Sequence, residues 1–149
     1  MHGLINRKKA KMYKKVLYAL DIDSKPYLLK AIALAYQLNA ELFVGYATNL
    51  DEQLFSDDAY LGNAVGNDIV NTEKAELESK IQALITDTTL NRDHVYIVNG
   101  PVGMAIERLA TNLSVDLVVM ANSHHYFSFL SKNALLIKLA THHDFLSLS

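Results

Sequence analysis

Five short apolar runs punctuate the chain, and a stretch with helical spacing separates most of them from the next. The runs are KVLYALDI (15–22), AELFVGYAT (40–48), HVYIV (94–98), DLVVMA (116–121) and DFLSLS (144–149). Runs this short and this continuously apolar suit strands buried on both faces. Between them, Leu28, Ile32, Ala35 and Tyr36 fall on one helical face, as do Val70, Leu77, Ile81 and Leu84, and again Val102, Ile106, Leu109 and Leu113. A further helix is expected over about 128–140. The order βαβαβαβαβ predicts a parallel sheet covered by helices on both sides. Right-handed crossovers leave few topologies, and the doubly wound, flavodoxin-like α/β class with five parallel strands is favoured.

Helix boundaries are marked locally. Asp23 and Ser24 are good N-cap residues, and Pro26 suits a first helical turn, so a helix is expected to run to about Gln37. The next helix is expected from Asp68 to about Thr86. The polar segment before it, 48–67, carries Gly62 and Gly66 and is long for a loop, so it reads as mobile or as holding a short helix. GPVG at 100–103 starts the third helix, whose N-terminus could attract an anion.

At 149 residues, half of them hydrophobic, the chain suffices for one domain that buries roughly 70% of its unfolded surface. A net charge of −2 gives no reason to expect nucleic acid as partner. The absence of cysteine excludes disulfides and thiolate metal sites, and a cytoplasmic location is the expectation. No apolar run approaches the roughly 20 residues of a membrane span. Residues 1–11 read as a flexible basic extension with Arg7, Lys8, Lys9 and Lys11. The acids that follow at once in VLYALDID, without a small-residue cleavage site, argue against a signal peptide.

In sheets of this class, ligands bind beyond the carboxyl ends of the strands, where the strand order reverses. Two strand ends therefore matter. After the first strand, Asp21 and Asp23 stand two residues apart and could hold a divalent cation or act as an acid/base pair. The plainer reading has Asp23 or Ser24 capping the helix while Asp21 contacts backbone amides. After the fourth strand comes ANSHHYFSFLSKNA (121–134), a turn without glycine. The pairs His124–His125 and His142–His143 would make a metal site only by converging, and no HxxxH spacing is present. GxGxxG, GxxxxGK[ST] and GxSxG are all absent, so no dinucleotide fingerprint, P-loop or hydrolase elbow is expected.

MYKKVLYALDIDS at the start of the fold, and NGPVGMAIERLATNLSVDLVVMA further on, resemble the universal stress protein family. The resemblance covers 12–149 and implies one domain there, with strand order 3-2-1-4-5. In the family's ATP-binding branch, a G-x-x-G-x9-G-[ST] pattern after the fourth strand lets backbone amides hold the triphosphate. An Asp after the first strand contacts the adenosine. Asp21 matches that acid, but Ala121 and His124 stand where the first two glycines belong, and Asn133-Ala134 where the last pair belongs. Side chains at backbone positions that glycine permits, φ > 0 among them, would fill the phosphate cradle.

The resemblance is thus nearer the universal stress protein A branch, which does not hold ATP in this way. It implies a non-catalytic stress-response homodimer that pairs through its last strand, here Asp144 to Ser149, and acts on an unidentified protein partner. Asp21, Asp23, Ala121, Asn122, Ser123 and His124 would form a degenerate nucleotide crevice. No cofactor is expected, with an adenine-nucleotide switch using ATP or AMP in the same crevice as the alternative reading. The family's last strand is usually a Val/Ile run ending in Pro, whereas DFLSLS alternates with serine, which implies a weaker or different dimer.

Overall fold

A computed structural model describes residues 12–48, 63–121 and 143–149, with side chains of the second stretch described from Thr72 onward. The chain forms β1 (Lys15–Ala19), α1 (Lys25–Leu38), β2 (Glu41–Thr48), α2 (Asn63–Ile85), β3 (Val95–Asn99), α3 (Val102–Leu113), β4 (Leu117–Ala121) and β5 (Asp144–Leu148). The five strands make one sheet, ordered β3-β2-β1-β4-β5, and every pairing is parallel. This is the doubly wound architecture that the alternating runs imply. The expected helix over 128–140 lies outside the described residues.

Period-two alternation assigns each strand residue to a face. Val16, Tyr18, Leu20, Leu42, Val44, Leu117 and Val119 point to one side, where α1 brings Leu28, Ala31 and Ala35, and α2 brings Ile81 and Ile85. Leu17, Ala19, Phe43, Val118 and Met120 point to the other, against Ile106, Leu109 and Ala110 of α3. Strands β1 and β4 are buried along almost their whole length, which is why their sequences carry no polar alternation. Gly45 of β2 is a packing requirement on the second face. A Cβ there would lie 2.6 Å from Leu109 Cδ2, so glycine lets α3 approach the sheet.

Local chemistry sets the ends of the elements. Ser24 caps α1, its hydroxyl accepting from the Tyr27 amide, and Pro26 occupies the first turn. Asn39 closes α1 in left-handed geometry (φ 54°), and its amide donates to the carbonyls of Ala35 and Tyr36. Ser114 closes α3 in the same way at φ 56°.

Three boundaries or faces differ from the sequence reading. β1 stops at Ala19 rather than Ile22, because the chain turns at Asp21, whose carbonyl accepts from the Ser24 amide at 3.1 Å. α2 begins at Asn63 rather than Asp68, with Gly66 inside the helix. A single interior glycine costs only about 1 kcal/mol relative to alanine, and a helix of 23 residues absorbs it. Tyr36, placed by periodicity on the buried face of α1, is 87% exposed, while Ala31 takes the core position.

Candidate functional site

β1 and β4 lie side by side at the centre of the sheet, with Ala19 opposite Met120 in the last pair of their ladder. The chain leaves β1 toward α1 on one face and reaches β4 from α3 on the other. In doubly wound sheets the carboxyl ends of two such central strands are the usual ligand site, and the connection that leaves β4 lies outside the described residues.

Asp21 follows β1 at this end of the sheet. Its Oδ1 accepts from the Asp23 amide at 3.0 Å, and its own amide donates to the Tyr18 hydroxyl at 3.4 Å. Asp23 is exposed and directs Oδ1 at Lys80 Nζ of α2, 3.3 Å away. With Ser24 capping α1 and Asp21 contacting a backbone amide, the plainer of the two sequence readings holds, while Asp23 turns toward α2 instead. Among the described residues, no three His, Cys, Asp or Glu side chains gather as a metal site would require. His143 stands before the amino end of β5, its Nε2 3.4 Å from Thr111 Oγ1 of α3. Strands in a parallel sheet share a direction, so His143 is at the opposite pole from Asp21.

Ala121 ends β4 and is buried, paired with Leu148 of β5. Its backbone corrects one step of the sequence argument. The described residues with left-handed φ are Asn39, Ser114 and Gly100, so Ala121 keeps ordinary strand geometry and carries no left-handed strain. What Ala121 contributes is the bulk of its Cβ. Asn122, Ser123 and His124, the other expected crevice residues, lie outside the described residues, as do Asn133 and Ala134.

Three side chains near this end of the sheet were not singled out by sequence reasoning. Tyr18 is fully buried, and burial foremost pushes its phenol up to about 12; the hydrogen bond from the Asp21 amide pulls the other way. Tyr46 of β2 is half-buried, and its phenol is raised first by desolvation and then by the Asp23 charge, with Lys80 opposing. Lys80 reaches the site from 57 residues away in sequence. Tyr18 could have been placed on this face by alternation with Val16 and Leu20. No local signal places Lys80.

On the other face, Gly100 turns the chain into α3 at φ +125°, a backbone that side chains rarely adopt, and its amide donates to Thr48 O at 2.9 Å. Pro101 precedes α3 and supplies no side-chain cap of its own. Among the described residues, this end of the sheet thus brings Asp21 against Tyr18 and Asp23 against Lys80.

A sequence model of the universal stress protein family matches residues 12–135. The chain belongs to the universal stress protein family. Among solved structures, a universal stress protein family member from Burkholderia pseudomallei aligns with TM-score 0.59 and 22% identity, covering 93% of this chain and 98% of that one. Universal stress protein UspA from Lactobacillus plantarum aligns with TM-score 0.58 and 19% identity, again over 93% and 98%. A functionally unknown protein from Pseudomonas aeruginosa aligns with TM-score 0.52 and 20% identity, over 75% of this chain and 37% of that one. At these identities the likeness is one of fold. No curated protein matches this chain significantly. The strand order is that of a universal stress protein domain, and no helix among the described residues is long and apolar enough to cross a membrane.

Proposed function

We propose that this universal stress protein is a non-catalytic, cytoplasmic stress-response protein of the universal stress protein A type, which works as a homodimer on a protein partner and does not hold ATP in a glycine loop. The observation that carries this reading is the end of β4. The strand runs into Ala121, whose buried Cβ stands where ATP-binding relatives need glycine, and the sequence supplies ANSHH instead of a glycine cradle. Asp21, the acid that would meet the adenosine, already accepts from the Asp23 amide.

Calorimetric titration with ATP and magnesium tests this directly. No saturable heat is expected, and a micromolar affinity overturns the reading. Pairing through Asp144–Leu148 is supported by the position of β5 at the sheet edge, with Leu146 39% exposed. Leu146→Lys is expected to convert dimer to monomer in light scattering. A dimer that survives the substitution would place the interface elsewhere.

The second reading, a switch that binds AMP or another adenine nucleotide, draws on Asp21, on Lys80 beside Asp23 and on the amino end of α3. A ligand at 100 times its Kd adds roughly 2.7 kcal/mol of stability, so thermal shifts with each nucleotide separate the two readings.

A further inference from the structure

β5 is the one strand of the sheet with no buried residue. It lies at the sheet edge and pairs with β4 alone. Leu146 and Ser147 are exposed, and Asp144, Phe145 and Leu148 are half-buried. A strand that buries so little side chain gains little from packing, and such elements open at a lower free energy than the core does.

Side chains from three other parts of the chain reach β5 and its flanks. Lys30 of α1 donates to the Ser149 carbonyl beyond its carboxyl end, and Thr111 Oγ1 of α3 lies 3.4 Å from His143 Nε2 before its amino end. Both of these contacts are exposed to solvent. The third differs. The Tyr13 hydroxyl donates to Asp144 Oδ2 at 2.7 Å from a partly buried position, across 131 residues of sequence. A phenol that donates to a carboxylate makes a charge-assisted bond, about twice as strong as a neutral one.

The donor is fixed before β5 arrives. The Tyr13 ring packs against the core. The two residues after it are tied to the start of β4: Asp116 Oδ2 accepts from the amides of Lys14 and Lys15, each at 2.9 Å, and the Asp116 amide donates to the Lys15 carbonyl at 2.8 Å. Asp144 stands opposite Leu117 in the β4–β5 ladder. Tyr13 is therefore held by β1 and β4 and reaches past β4 to the first residue of β5. A donor already held in place gives up little entropy when it bonds.

We propose that Tyr13 and Asp144 form a clasp that sets how often β5 leaves the sheet while β1 to β4 stay folded, and so how often the edge of β4 stands open. The clasp works within one chain and does not rest on β5 pairing with a second copy.

Hydrogen exchange of the full chain under native conditions, followed amide by amide in NMR, tests this. In the natural protein the protected amides of 145–148 are expected to exchange about tenfold faster than those of 17–19, or more. Tyr13→Phe keeps the ring and removes the donor, and should speed exchange of 145–148 by a further factor of about ten. Ile81→Val, a trim of comparable cost in the core under α2, should speed the slowest amides of β1 and β4 and leave 145–148 within about twofold. In an Asp144→Ala background, Tyr13→Phe should add less than about twofold, because the two substitutions break one bond. The clasp is overturned by 145–148 that do not respond to Tyr13→Phe, by an equal response to Ile81→Val, or by substitutions at 13 and 144 whose effects multiply. It is overturned too by protection of 145–148 that falls on dilution of the natural protein, which would assign that protection to contact between copies and leave the dimer reading standing without the clasp.

Discussion

The two poles of the sheet solve the same problem in opposite ways. At the carboxyl pole, the polar groups engage one another and the backbone: Asp21 with the Asp23 amide, Tyr18 with the Asp21 amide, Asp23 with Lys80. At the amino pole, Glu41 Oε2 and His94 Nε2 lie 3.4 Å apart beside a cavity of about 590 Å³. The difference teaches where the chain spends stability and where it leaves a cavity unfilled. In doubly wound sheets the carboxyl pole is the usual ligand site. Here that pole is knitted into the fold, and substitutions there are expected to move stability more than those at the amino pole.

The largest effect is expected at Tyr18. It is fully buried between β1 and the α1/α2 layer, so Tyr18→Ala should destabilise by about 3–5 kcal/mol in urea unfolding. Ala33→Phe, at the exposed wall of the opposite cavity, should change stability by less than about 0.5 kcal/mol. If the two cost the same, the contrast between the poles is wrong.

The phenol of Tyr18 sharpens the contrast further. Its pKa in the folded protein is raised to about 12, above the ordinary 10, because burial favours the neutral form. The unfolded chain loses this proton near pH 10 while the folded chain keeps it, so the stabilisation is whole below pH 10. It declines as pH rises from there and is gone once pH has passed through about 12. A two-unit displacement corresponds to roughly 2–3 kcal/mol. Tyr18→Phe should flatten stability in that alkaline window, leaving the smaller contributions of Tyr13 and Tyr46, which are raised in the same direction. An unchanged slope would show that Tyr18 is not shielded as the fold implies.

Much of this architecture was legible because the strands of a parallel sheet bury both faces and so read as plain apolar runs. LVVMA and KVLYA need no other signal, and Ser24 with Pro26 marks the start of α1 chemically. The errors came where tertiary packing outranked periodicity. Tyr36 has helical spacing with Leu28 and Ile32, but α1 meets only one layer, and its buried stripe is narrower than its apolar stripe. The site was less legible than the fold. Asp21 was found because it is local to a strand end. Lys80 meets Asp23, and His94 meets Glu41, through crossovers of more than fifty residues, and no spacing motif records such a contact. Gly45 likewise looks like any strand glycine until α3 is seen against it.

A middle-sized effect should come from the cap that anchors the crevice. Ser24→Ala removes the hydroxyl that accepts from the Tyr27 amide and should cost about 1 kcal/mol. Ser24→Asp should restore most of it, since a carboxylate both caps and suits the positive end of α1. A loss that aspartate does not recover would mean that the hydroxyl serves the turn at Asp21 rather than the helix.

The smallest effect belongs to the most conspicuous ion pair. Asp23 and Lys80 lie 3.3 Å apart, but their side chains are 81% and 57% exposed. Solvent screens such a pair, and holding a lysine in one rotamer costs entropy, so a double-mutant cycle of Asp23→Ala and Lys80→Ala should give a coupling of about 0.5 kcal/mol or less. The coupling should shrink further when salt is raised to about 1 M, where the screening length falls to about 3 Å. A coupling above about 1.5 kcal/mol would mean that the pair is shielded, and the crevice mouth with it. That result would make Lys80, rather than Tyr18, the group that fixes the turn after β1.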